Sequence, residues 1–344
     1  MTEASKYGIT LEKLRSRAAK GDLTQREIRA YFEPDERRGE AFAPAFKLTE
    51  FVDKQGKRPS ARTVTELYFG AEMGVVSGPR ARLRPRSRGR GITTTASAAR
   101  MKVLAEGDSW FRLPNLSWPV SYPDDLVDVL RQTYEIPGVA MWGAEIGHMV
   151  TVQKNNYLVP LRSGLYRHFM FSGGGNDVLA SVQTHVKRFG AAGTNPSSAE
   201  SYLKASFDGA LATVIGHYRT LAGHVRSVSN PKPTLYVHGY AHARPLPGGP
   251  YIGAKLEALG FDANSSLARK IVAAMVDRFN VKLKAFAAAE NAAHPTYKVV
   301  YVNLRPAFTS AADWNTDEIH PSDAGAAKAA ARMGDNIAAN VPVA

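Results

Sequence analysis

From residue 100 onward, short apolar runs alternate with long stretches of helical periodicity, and this alternation narrows the fold more than any other feature of the chain. Strands are predicted at 101–106, 136–142, 167–172, 234–239 and 298–303, each apolar or β-branched. Helices are predicted at 124–133, 198–228, 265–289 and 322–339. Parallel strands need crossover helices. The pattern therefore predicts a mainly parallel five-stranded sheet with helices on both faces, a three-layer α/β/α architecture. In such sheets ligands bind outside the carboxyl ends of the strands.

Four short blocks follow predicted strands. They are Gly107-Asp108-Ser109-Trp110, Gly143-Ala144-Glu145-Ile146-Gly147, Gly173-Gly174-Gly175-Asn176-Asp177 and Asp317-Glu318-Ile319-His320-Pro321. A serine hydroxyl is a poor nucleophile until a neighbouring base takes its proton. Ser109 is the candidate nucleophile and His320 the candidate base, since imidazole titrates near neutral pH. Asp317, three residues before His320, is placed to fix the imidazole tautomer, with Glu318 as the alternative acid. Acyl transfer also needs donors aimed at the developing oxyanion. The N–H groups of Ser109 and Gly147 and the Asn176 amide are the candidates, with Gly143 the alternative to Gly147.

In the order and content of these blocks the chain resembles the SGNH hydrolases, the GDSL esterase/lipase superfamily. The resemblance covers roughly residues 100–340. It implies a flavodoxin-like fold and carboxylic ester hydrolysis, with Ser109, Asp317 and His320 as catalytic triad and Ser109, Gly147 and Asn176 as oxyanion hole. No metal or organic cofactor is implied. The chain departs from the usual pattern at Trp110, where a smaller aliphatic residue is common, and at Trp142, which stands about where an asparagine is usual. An acyltransferase on the same fold is the alternative within the enzyme class.

The segment His238-Gly239-Tyr240-Ala241-His242 sets two histidines four residues apart. It lies at a predicted strand end followed by Pro245 and Pro247, so helical ligand spacing does not apply and no metal site is expected. His238 and Tyr240 are expected to line the cleft with Trp110. Phe111 and Trp118 are read as either cleft wall or core. Residues 243–261, rich in proline and glycine, are expected to form a mobile rim.

Three parts are expected: a small helical N-terminal region over 1–78, a linker over 79–99 and the catalytic domain over 100–344. Leu11, Leu14 and Ala18 share a helical face, Thr24 to Glu27 reads as a capping box, and a third helix is predicted over 60–73. The net charge of +13 is uneven. Residues 1–100 hold 21 lysines and arginines against 12 acids, and the remainder holds 23 against 19. Arg80, Arg82, Arg84, Arg86, Arg88 and Arg90 alternate with Ala81, Leu83, Pro85, Ser87 and Gly89, a solvated arm suited to an anionic surface. A binding or adaptor protein that uses this arm is the reading from a different class. The absence of cysteine excludes disulfides and thiolate catalysis. Residues 1–7 carry no apolar signal core and no run approaches the ~18 apolar residues of a membrane span. A cytoplasmic location is expected, with signal-independent secretion as the alternative.

Overall fold

The computed structural model describes residues 8–20, 22–34, 46–60, 62–65, 67–68, 71, 100–113, 123–137, 140, 143–228 and 232–341. The arginine run over 80–90, Trp118 and Trp142 lie outside them.

The N-terminal part begins with the helices α1 (Leu11–Lys20) and α2 (Gln25–Tyr31). Helix α1 buries Leu11, Leu14 and Ala18, the face read from the spacing. Thr24 and Glu27 form the capping box that starts α2. Two strand pairs accompany the helices. The parallel pair joins β1 (Ile9–Thr10) to β4 (Val52–Asp53), and the antiparallel pair joins β2 (Phe32–Pro34) to β3 (Phe46–Leu48). These strands are two or three residues long, too short for a period-2 signal, so the sequence reads as helical there. Their side chains build a separate apolar cluster that includes Leu14, Ile28, Phe32, Phe46 and Tyr68. Of the helix predicted over 60–73, the described residues are helical at 62–65, 67–68 and 71.

The remainder is built on a parallel sheet of β5 (Val103–Gly107), β6 (His168–Ser172), β7 (Thr234–Gly239) and β8 (Val299–Asn303), paired in that order. In β5 and β6 every residue is buried, as expected for strands covered on both faces. The register pairs Gly107 with Ser172 and Gly239 with Asn303, so the carboxyl ends form one edge. Among the described residues the sheet has four strands, where five are expected. Around the segment predicted as a strand at 136–142, the described residues show one isolated parallel bridge, Lys102 to Glu135. Pro137 has no N–H to give to a ladder, which accounts for the early end of this pairing.

The helices form two packed groups. Helix α3 (Leu126–Leu130) packs with the last helix, α11 (Asp323–Ala338). On the other side α4 (Ile146–Thr151), α5 (Asn155–Arg162), α8 (Ser206–Arg226) and α10 (Ser266–Ala293) pack together, α8 touching each of the others. Their start signals are legible: Ser265 Oγ accepts from the Ala268 N–H at 3.1 Å, and Ser322 Oγ from that of Gly325 at 3.2 Å. No helix among the described residues is long and apolar enough to cross a membrane.

Candidate active site

Ser109 stands in the turn that closes β5. The turn hugs β6: the Asp108 N–H donates to the Ser172 carbonyl at 3.1 Å. A Cβ added to Gly107 would lie 2.6 Å from that of Ser172, so the approach needs glycine. The Asp108 carboxylate is buried and accepts from Ser172 Oγ at 2.6 Å, from the Trp110 N–H at 3.1 Å and from the Tyr240 hydroxyl. Ser172 at the end of β6 and Tyr240 just past β7 thus hold the turn that carries Ser109.

His320 reaches the same point from the far end of the chain. Its Nε2 is 2.7 Å from Ser109 Oγ, and its Nδ1 is 2.7 Å from Asp317 Oδ2. Asp317 Oδ1 accepts from the His320 N–H at 3.0 Å, so the spacing of three closes a tight local turn. Asn315 Nδ2 adds a bond to Oδ2 at 3.0 Å. Burial pushes the Asp317 carboxyl up, but its bonds to His320 outweigh this and hold it below the usual carboxylate value. An ionised Asp317 accepts the hydrogen bond of the Nδ1–H, which leaves Nε2 as acceptor for the serine hydroxyl. His320 is fully buried, with the Tyr251 ring edge-on at 5.7 Å.

Helix α6 (Gly175–Leu179), followed by the short α7 (Val182–His185), begins at Gly174, whose φ of 84° is left-handed. This brings Asn176 to the sheet edge, where its Nδ2 donates to the Ala144 carbonyl at 3.0 Å. Asp177 accepts from the Ile146 N–H at 3.3 Å and ties this helix to α4. Burial raises its carboxyl to about 6. Gly147 is the second residue of α4, so its N–H belongs to the first turn, which the helix leaves without carbonyl partners.

A cleft of about 300 Å³, open mouth included, lies over Ser109 and Asn176. Trp110, Leu179, Tyr240, Ala241, Ala243 and Ile319 are among its walls, and Gly147 is not. His238 does not line it. It is fully buried against the rings of Trp110, Phe111 and Tyr240. Phe111 is core, whereas Trp110 serves both core and cleft. His242 turns outward to Asp277 at 2.8 Å, so the two histidines diverge. No group of three or more metal-ligating side chains occurs among the described residues. Glu318 points away from His320 towards backbone N–H groups of 246–253, the stretch expected to be a mobile rim. Ser172 carries no signal of its own in the sequence beyond its place directly before the Gly-Gly-Gly-Asn-Asp block.

Residues 57–333 match the family of GDSL-like lipases and acylhydrolases. No curated protein sequence matches the chain. Among solved structures it is similar to the lipase Lip_vut3 from a goat rumen metagenome, at 13% identity over 68% of this chain and 96% of that one, with a TM-score of 0.45. A GDSL-like lipase from Bacteroides thetaiotaomicron gives 13%, 70%, 89% and 0.41 for the same measures. A carbohydrate esterase family 3 protein from Talaromyces cellulolyticus gives 15%, 70%, 97% and 0.38.

Proposed function

Because the chain belongs to the family of GDSL-like lipases and acylhydrolases, we propose that it cleaves carboxylic esters with Ser109 as nucleophile, His320 as general base and Asp317 as the group that orients the imidazole. One observation carries the reading: the unbroken chain from Ser109 Oγ through both ring nitrogens of His320 to Asp317, with both links at 2.7 Å. His320 Nε2 takes the hydroxyl proton as the serine oxygen attacks the ester carbonyl carbon. The negative charge moves to the carbonyl oxygen, where the N–H groups of Ser109 and Gly147 and the Asn176 amide stabilise it. One Asn176 N–H is held by Ala144, which leaves the other for the cleft. His320 then gives the proton to the departing alcohol oxygen. Water repeats the sequence on the acyl-enzyme and frees the acid and the serine.

The test is hydrolysis of p-nitrophenyl acetate, butyrate and octanoate at pH 8 by wild type and Ser109→Ala. A loss of about three orders of magnitude or more in the variant is expected. A fluorophosphonate should label Ser109. Equal turnover by both proteins refutes the nucleophile assignment.

The catalytic domain comprises 100–344 in this reading, behind an N-terminal unit over 1–78 and a linker over 79–99. The separate apolar cluster of Ile9 to Ala71 supports that division. The basic excess of residues 1–100 supports docking on an anionic, ester-bearing surface. Such docking should weaken steeply with salt, whereas turnover of a small neutral ester should not.

A further inference from the structure

Glu318 lies between Asp317 and His320 yet takes no part in the hydrogen-bond chain to Ser109. Its φ of 79° is left-handed, a conformation that side chains other than glycine, asparagine and aspartate seldom adopt. The residue is fully buried. Its carboxylate accepts four backbone N–H bonds: Oε1 from Leu246 at 2.7 Å and Gly253 at 2.8 Å, Oε2 from Tyr251 at 2.9 Å and Ile252 at 3.0 Å. Its own carbonyl accepts from the Arg244 N–H at 2.9 Å. Helix α9 (Gly253–Ala258) has no capping side chain from its own N-cap residue, and Glu318 supplies the negative group at its start.

These five bonds fasten 244–253 to the loop that carries His320. The fit is close, since a Cβ on Gly249 would overlap the Glu318 carboxyl group. The fastened segment runs directly into Ala243 and Ala241, which line the cleft. Ile319, the residue after Glu318, lines it as well. One buried carboxylate therefore sets the spacing between two walls of the cleft above Ser109.

We propose that Glu318 is a specificity-positioning residue: by clamping 244–253 to the His320 loop, it holds the Ala241–Ala243 wall against Ile319 and limits the size of the acyl group admitted. The inference rests on Ser109 and His320 being the reacting pair proposed above. In Glu318→Gln the amide nitrogen faces two N–H donors, so those bonds are lost and the wall loosens. Gly249→Ala displaces the same segment from the other side of the contact and serves if Glu318→Gln does not fold.

The experiment measures kcat and KM for p-nitrophenyl acetate, butyrate and octanoate in the full chain, with circular dichroism and labelling of Ser109 by a small fluorophosphonate. The expected result is a rise of about tenfold or more in the octanoate-to-acetate ratio of kcat/KM, the discrimination of one or two methylenes. The change should lie in KM, with Ser109 still labelled. An unchanged ratio in a folded variant, or equal losses on all three esters, overturns the proposal. Failure of both variants to fold assigns Glu318 to stability alone and overturns it too. If wild type shows neither Ser109-dependent turnover nor labelling, the hydrolase reading fails and takes this inference with it. Intact labelling and turnover with an unchanged ratio overturn this inference alone.

Discussion

Replacing His238 with leucine should remove a large part of the protein's sensitivity to acid. The imidazole is fully buried in the wall behind the cleft, with ring centroids of Tyr240 at 4.9 Å, Phe111 at 5.4 Å and Trp110 at 5.8 Å. Neither ring nitrogen makes a well-formed hydrogen bond. Desolvation lowers its pKa from the ordinary 6.5 to about 4, and the opposing charge of Asp108 is outweighed. The unfolded chain thus binds a proton from about pH 6.5 downward, while the native protein resists one until about pH 4. The stabilisation is complete above pH 6.5 and is lost as pH falls towards 4. The gap of about 2.5 pH units corresponds to ~3 kcal/mol. That is a large share of the 5–15 kcal/mol typical of a folded domain. Leucine has a similar volume and cannot titrate. Urea unfolding, followed by tryptophan fluorescence and circular dichroism, gives the stability difference between variant and wild type at pH 7.5 and pH 4. That difference should move by ~3 kcal/mol in favour of the variant at the lower pH. A difference constant to within about 0.5 kcal/mol would refute the argument.

Asp177 should act in the opposite direction. Burial raises its folded pKa from 3.8 to about 6, so the native state prefers the protonated form and stability is lost as pH rises through that window. Asp177→Asn should be more stable than wild type by roughly 1–3 kcal/mol at pH 7.5 and no more stable at pH 4, measured by the same urea titrations. Asp317→Asn should lower kcat on p-nitrophenyl acetate by about three to four orders of magnitude without altering the circular dichroism spectrum, since an amide oriented on Nδ1 favours the wrong tautomer. Gly107→Ala should lower stability by about 3 kcal/mol, seen as a fall in Tm, because its Cβ would lie 2.6 Å from the Ser172 Cβ and 2.8 Å from the Ser172 carbonyl oxygen.

The parts of the fold that show in the sequence are those whose signal is local. Strands β5 and β6 are near-continuous apolar runs because both sheet faces are covered there, and Ser265 and Ser322 announce their helices by capping. The segment after Glu135 reads as a strand by composition, but Pro137 has no N–H with which to extend the bridge at Glu135. The short N-terminal strands carry too few residues for any period. Within the candidate site, the strand-end position of each block follows from the alternation of elements. Depth does not: His238 and Tyr240 are two residues apart on one strand end, yet only Tyr240 reaches the cleft. The same limit hides the role of Glu318. An acid beside an Asp-x-x-His motif reads as a spare partner for the histidine, while its real partners lie 65 to 72 residues earlier in the chain.

The contact between His320 and Ser109 spans 211 residues, and it has company. The Asp124 N–H donates to Asp323 across 199 residues, and the Tyr134 hydroxyl to the Gly334 carbonyl across 200. The beginning and end of the sheet-bearing region are therefore stitched together around Ser109. A chain still being synthesised, or one cut before residue 320, lacks the imidazole proposed as the base for Ser109. Long-range contacts of this kind form late and slowly. On the proposed reading of Ser109 and His320, ester hydrolysis would then report on folding itself, switched on only when the loop carrying His320 docks beside Ser109.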